Sequence, residues 1–201
     1  MKSLKKLSVV IILFQLGGCA VSYTLLKAGR INVTEEYSVS TGMDWSQLKK
    51  GKITVWTANG SNLERITFFN GIEEDETLFG DDKSIKFRNS MNEVEITELF
   101  VGSLKSAQKW PKAKINHLAP KKFGSFDGFY FEIDLTSEDG LSYKGAASCS
   151  IIDKKLYSIF FLATELYYYK KYNGEFENIL STIEKVSKNK NKSLDMFWSW
   201  F

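Results

Sequence analysis

The chain has 201 residues, 43% of them hydrophobic, 25% charged and 14% aromatic, with two prolines; this excludes a disordered, a collagen-like and a polytopic membrane chain. Its formal charge of +3 vanishes once Lys2, Lys5 and Lys6 are assigned to an export signal, since 27 basic side chains less these three leave 24 against 24 acidic ones, and a neutral chain has no electrostatic case for nucleic acid. Two cysteines and one histidine exclude a disulfide scaffold and a cysteine-rich zinc site, and no cofactor or metal is expected.

Residues 1–6 are a short basic start, and residues 7–16 are apolar except for Ser8 and Gln15. A basic segment followed by a short apolar one reads as a secretory signal over residues 1–18. Leu16-Gly17-Gly18-Cys19 resembles the bacterial lipobox, in which small residues admit the peptidase and a thiol accepts the lipid. The resemblance implies cleavage between Gly18 and Cys19 and acylation of Cys19. The protein is then held by membrane lipid on the non-cytoplasmic side of a bacterial envelope. Ala20 after the cysteine, in place of Asp, implies the outer rather than the inner membrane in a host with two. An uncleaved anchor is the alternative, because residues 7–26 are uncharged and about long enough to span a bilayer, but Gln15, Gly17, Gly18, Ser22 and Thr24 make its second half poorly apolar. Either way the three lysines keep the start cytoplasmic.

Residues 19–36 read as a tether and 37–188 as a single α+β domain. Residues 37–40 are a short strand, 44–50 a polar turn around Trp45, and 52–57 and 63–69 a hairpin of β-branched and aromatic residues closed at Asn59-Gly60-Ser61-Asn62. Six acids over residues 73–82 lack calcium-loop spacing and read as a solvated loop. Ser90-Met91-Asn92-Glu93 reads as a capping box opening a helix that ends at Trp110-Pro111. Its expected stripe is Met91, Val94, Leu99, Val101, Leu104 and Ala107, widened by Ile96 and Phe100. A three-strand meander follows over 128–136, 141–152 and 156–163, turning at Asp139-Gly140 and Asp153-Lys154. The third strand is apolar on both faces, as a covered central strand would be. A second helix is expected over 174–188, with Phe176, Ile179, Leu180, Ile183 and Val186 as its stripe and with acids early and lysines late.

The run Gly124-Ser125-Phe126-Asp127-Gly128-Phe129-Tyr130-Phe131-Glu132, a hairpin, the strand at 155–163 and an amphipathic helix reaching Ser181 resemble the PsbP-like superfamily. That group includes an extrinsic protein of the oxygen-evolving complex and bacterial lipoproteins of the LpqN and DcrB type. The resemblance covers about two-thirds of the chain and implies a single antiparallel β-sheet flanked by α-helices. Its members share a fold and not an activity, and their common theme is accessory or binding work.

No catalytic residue is expected. His117 is the only histidine and reads as a structural or surface residue. Ser125 sits second in its five-residue glycine motif, where a nucleophile elbow needs it third. Cys149 reads as a small buried strand residue. Tyr167, Tyr168, Tyr169 and Tyr172, interleaved with Lys170 and Lys171, form a possible interaction surface. So does a basic and aromatic tail over 189–201, with Phe197, Trp198, Trp200 and Phe201, which reads either as a second attachment to a membrane or partner or as a segment folded back into a groove on its own domain. The expected function is a non-enzymatic binding or structural module whose partner is an envelope protein, a glycan or a small apolar ligand. The alternative is an envelope hydrolase using Glu132 and Asp134, which share a face of the 128–136 strand.

Overall fold

The computed structural model describes residues 22–80, 84–107 and 110–187. β1 (Thr24–Leu26), β2 (Gly29–Asn32), β3 (Tyr37–Thr41), β4 (Trp45–Lys50), β5 (Ile53–Thr57) and β6 (Glu64–Ile72) precede α1 (Glu93–Ala107). β7 (Lys112–Pro120), β8 (Phe129–Thr136), β9 (Ser142–Ile152) and β10 (Lys155–Thr164) follow as a meander, then α2 (Tyr168–Ser181) and β11 (Glu184–Lys185). The main sheet has eight strands in the order β1-β4-β5-β6-β10-β9-β8-β7, and a smaller one runs β11-β3-β2. The expected α+β architecture, an antiparallel sheet with two helices, is what the chain forms; the small second sheet is an addition to it.

Side chains alternate across a strand, so the main sheet feeds two cores. On one face α1 lays Ile96, Leu99, Phe100 and Leu104 over Phe69, Phe131, Ile133 and Phe160. On the other, α2 and the small sheet pack Tyr37, Val39, Phe176 and Ile179 over Trp56, Phe68, Ile159 and Phe161. β10 lies between β6 and β9 and serves both cores, which explains its unbroken apolar run. β9 supplies the room: a Cβ on Gly145 would stand 2.9 Å from both Ile133 Cγ2 and Phe160 Cε2. The β9–β10 hairpin turns at Asp153 and Lys154, both at positive φ, the geometry of a two-residue type I′ connection.

Several expectations are corrected. The cap of α1 is Asn92, not Ser90: Asn92 Oδ1 accepts from the Glu95 N–H at 3.0 Å, and Glu95 Oε2 accepts from the Asn92 N–H at 2.8 Å. Both tetrads fit a capping box, and the one two residues later opens the helix whose buried face is Ile96, Leu99, Phe100, Ser103 and Leu104. Val94, counted in the buried stripe, is exposed. α2 starts six residues before Gly174 and ends at Ser181, so its first turn carries lysines and no acid, and the macrodipole pattern expected there does not exist. Ile183, just past its end, is still buried. Residues 45–50 are a strand and not a turn, because β1 and β5 flank β4 and Trp45 is 1% exposed. Strands β1 and β2 fall inside the stretch read as a tether. The meander has four strands, since β7 precedes the expected three.

Candidate functional site

α2 covers the middle of the sheet and leaves β7 and the outer half of β8 open on its side. A bulge at Asn116 decides which residues stand there. Ile115 pairs with Ile133, yet His117 pairs with Glu132, so the extra residue returns β7 to its pleat out of phase. Lys114, Asp134 and Lys144 lie opposite one another across three strands. The Tyr130 hydroxyl donates to Glu132 Oε1 at 3.2 Å. Lys121 Nζ lies 4.4 Å from the centre of the Tyr130 ring and 3.1 Å from Glu177 Oε2, and the His117 ring centre is 6.3 Å from that of Tyr130. Burial, followed by the charge of Glu132, raises the Tyr130 phenol above its ordinary range. Tyr169, stacked on Phe161 at 5.4 Å, is pushed up to about 12 by burial first and then by Glu132.

This open face is built for polar contact. Asp134 is exposed and Glu132 is half-buried, and Lys144 is held 3.1 Å from Glu165 rather than between the two carboxylates. The two acids expected to share a face do so, Glu132 accepting from the Tyr130 hydroxyl and Asp134 exposed to solvent. General acid–base work wants a carboxyl whose burial separates its role from its neighbour's.

The other anticipated residues are dispersed. Cys149 is buried, donates to Ser158 Oγ at 3.2 Å, and its thiol is pushed up to about 12 by burial, which leaves no thiolate for chemistry at neutral pH. Ser125 is exposed at the tip of the turn bridged by Phe123 and Phe126. There Gly124 takes φ +59°, and a Cβ would meet the Ile183 carbonyl at 2.7 Å. The four tyrosines belong to α2 and the turn before it. Tyr172 is buried and Tyr169 packs on the core, while Tyr167 is exposed. Lys171 Nζ lies 5.0 to 5.8 Å from the rings of Tyr167, Tyr168 and Tyr172, within cation–π range. Gly18, Cys19, Phe197, Trp198, Trp200 and Phe201 lie outside the described residues. Of the acidic run, Glu73 bonds Lys155, Glu76 bonds Lys52, and Arg88 reaches Glu74 and Asp75. Among the described residues no group of three or more His, Cys, Asp or Glu is placed to hold a metal ion. No described helix is long and apolar enough to cross a membrane.

One feature was missed in the sequence: an apolar cleft of about 400 Å³ between α1 and β7, lined by Val94, Thr97, Val101, Gly102, Ile115 and Leu118. The bulge hid it, because Ile115 and Leu118 share a face at a spacing that is neither 2 nor 4.

No family model matches the chain, and no curated protein does. Among solved structures, cyanobacterial PsbP (CyanoP) from Synechocystis sp. PCC 6803 is similar at 13% identity with a TM-score of 0.56, covering 86% of this chain and 98% of its own. A Bacteroides thetaiotaomicron protein (15% identity, TM-score 0.44) matches 81% of this chain over 50% of its own. LpqN, described as involved in cell envelope biogenesis of Mycobacterium tuberculosis (9% identity, TM-score 0.39), matches 85% over 88%. With its antiparallel sheet, its two helices and near-complete overlap with CyanoP, the chain has a fold similar to that of PsbP.

Proposed function

We propose that the protein is a lipid-anchored accessory module of a bacterial envelope, which binds a partner rather than transforming a substrate. One observation carries the reading: the lipobox cysteine stands five residues before the first strand, so cleavage ahead of Cys19 removes none of the described strands. A signal that ends where a complete domain begins is what a processed lipoprotein requires. Two or more acyl chains at about 0.8 kcal/mol per buried methylene hold such a domain stably, where one is marginal. Ala20 favours the outer membrane in a host with two.

The binding half of the proposal draws on the open face around Glu132, Asp134 and Lys144, whose polar side chains suit hydrogen bonding to a polar surface. The aromatic tail is a second candidate contact. Lys185, two residues before the last described residue, has its Nζ 5.5 Å from the centre of the Phe126 ring. Envelope protein, glycan and small apolar ligand are the partner classes.

Palmitate labelling and the mass of the mature N-terminus test the anchor. Wild-type protein should be labelled and begin at an acylated Cys19, and Cys19→Ser should be neither labelled nor processed. An unlabelled wild type ends the lipoprotein reading. Hydrolysis of an envelope substrate that is lost in Glu132→Gln with the fold intact would replace the accessory reading with an enzyme.

A further inference from the structure

The apolar cleft of about 400 Å³ between α1 and β7 has Val94, Val101 and Gly102 on its helix wall and Ile115 and Leu118 on its strand wall. Val94 is 55% exposed. β7 is the last strand of the main sheet, so no further described strand flanks the cleft on that side. Glu98 and Lys105 stand on its rim. A second hollow of about 380 Å³ lies beside it, lined by Glu93, next to Val94 on the helix, and by Pro120, two residues past Leu118 on β7. Asp127 and Gly128 also line this hollow, and they follow Phe126 in the turn that it bridges with Phe123.

The course of the last described residues says what covers the cleft. Lys185 Nζ lies 5.5 Å from the centre of the Phe126 ring. The Val186 N–H donates to the Glu36 carbonyl at 2.9 Å, beside Tyr37, whose ring centre is 5.1 Å from that of Phe123. The chain thus leaves the small sheet beside the turn that leads into the second hollow. Residues 188–201 lie outside the described residues, and their sequence matches this surface in order. Lys188, Lys190 and Lys192 come first, followed by Leu194 to Phe201 with two tryptophans and two phenylalanines. The surface presents exposed Glu93 first and the apolar cleft beyond it, with exposed Glu98 on the rim; neither acid has an ion pair among the described residues. Phe123 is five residues past Leu118, at most about 18 Å, and residues 188–193 alone extend to about 20 Å.

We propose that residues 194–201 fold back into the cleft between α1 and β7, with tryptophan seated against Val94, Val101 and Leu118 and the preceding lysines beside Glu93. Apolar surface on both sides is then removed from water. A tethered segment docks at high effective concentration, so a contact of this size suffices. The proposal goes beyond the accessory reading and stands whether or not Cys19 is acylated; it leaves the face around Glu132 as the contact for a partner.

Photocrosslinking tests it. Full-length protein carrying Trp198→p-benzoylphenylalanine is irradiated in the presence of phosphatidylethanolamine/phosphatidylglycerol vesicles, and the products are mapped by mass. Crosslinks within residues 94–105 and 115–118 of the same chain are the expected result. Val94→Glu, at an exposed position, should cut their yield several-fold, with buried Cys149 still unreactive as the sign of an intact fold. Deleting residues 194–201 should speed amide exchange several-fold at 94–105 and 115–118 and leave α2 unchanged. Undiminished crosslinking in folded Val94→Glu, exchange unaltered by the deletion, or crosslinks only to other parts of the chain overturn the proposal. Crosslinks to lipid overturn it in favour of a membrane attachment, and crosslinked dimers in favour of a contact between copies. Palmitate labelling is read separately, so an unlabelled protein with the cleft crosslinks loses the anchor and keeps the docked tail.

Discussion

Removing the buried carboxylate of Glu64 should loosen the β5–β6 loop and destabilise the whole protein. Glu64 is 1% exposed. Its Oε1 accepts from the backbone N–H of Ala58 at 2.5 Å and of Asn59 at 2.8 Å. The Thr57 hydroxyl reaches Oε1 at 2.9 Å and the Glu64 carbonyl at 2.8 Å, and its one proton serves either, so it is not counted. Two charge-assisted bonds are worth about 3 to 6 kcal/mol together. Against that stands Oε2, buried with no hydrogen-bond partner, which costs about 1 to 3 kcal/mol. Ala58 and Asn59 are exposed, so water recovers part of their bonding after the change. The balance for Glu64→Ala is a loss of about 2 kcal/mol, read from the urea midpoint at constant m. Glu64→Gln keeps an oxygen for the two N–H groups and gives up the charge, so it should lose less than half as much. A Glu64→Ala variant within about 0.5 kcal/mol of wild type, the scatter of ordinary surface changes, would refute the assignment of the loop's stability to this carboxylate.

Asn92→Ala should cost about 1 kcal/mol and Ser90→Ala almost nothing; the reverse order in paired urea titrations would restore Ser90 as the cap. Phe100→Ala should cost about 3 to 5 kcal/mol, because its ring meets those of Phe69, Phe131 and Phe160 at 5.3 to 5.9 Å; a loss below 2 kcal/mol, read by thermal and urea unfolding, would mean that α1 is not seated on the sheet. Cys149 should resist alkylation at pH 8 until the protein unfolds. Its folded thiol, raised from 9.0 to about 12, holds its proton after the unfolded one has lost it. The stability this contributes is complete below about pH 9 and is lost as pH rises toward about 12, so Cys149→Ala should flatten that part of the stability curve.

The strands from Phe129 to Thr164 were legible to within a residue at each end. Phe129, Phe131, Ile133 and Leu135 alternate with polar partners, and the chain turns at Asp153-Lys154 as expected, whereas Asp139-Gly140 lies within a longer connection over residues 137–141 in which Gly140 alone has positive φ. The helix ends were not legible. Ser90-x-x-Glu93 and Asn92-x-x-Glu95 are equally good caps, and only the packing of Ile96 and Phe100 on Phe69 and Phe160 chooses between them. Trp45 looked like part of a polar turn because Ser46, Gln47, Lys49 and Lys50 surround it. It is a strand residue because its indole N–H donates to Thr41 Oγ1 at 2.7 Å and its ring meets those of Trp56 and Tyr172, contacts 11 and more residues away for the rings.

What the sequence determined unaided is what short-range physics carries: a period-2 meander, a covered central strand and an α+β class. What only the tertiary structure decided depends on partners distant in the chain. The edge strands β1 and β2 acquire their identity from β4 and β3. Tyr172 is core because α2 begins early enough to lay it beside Trp45. The bulge at Asn116 turns His117 toward Glu132 and Leu118 toward the α1 face. A strand's propensity is the same wherever it is placed, but which of its faces meets water is set by the neighbours it pairs with, and no window along the chain contains those neighbours.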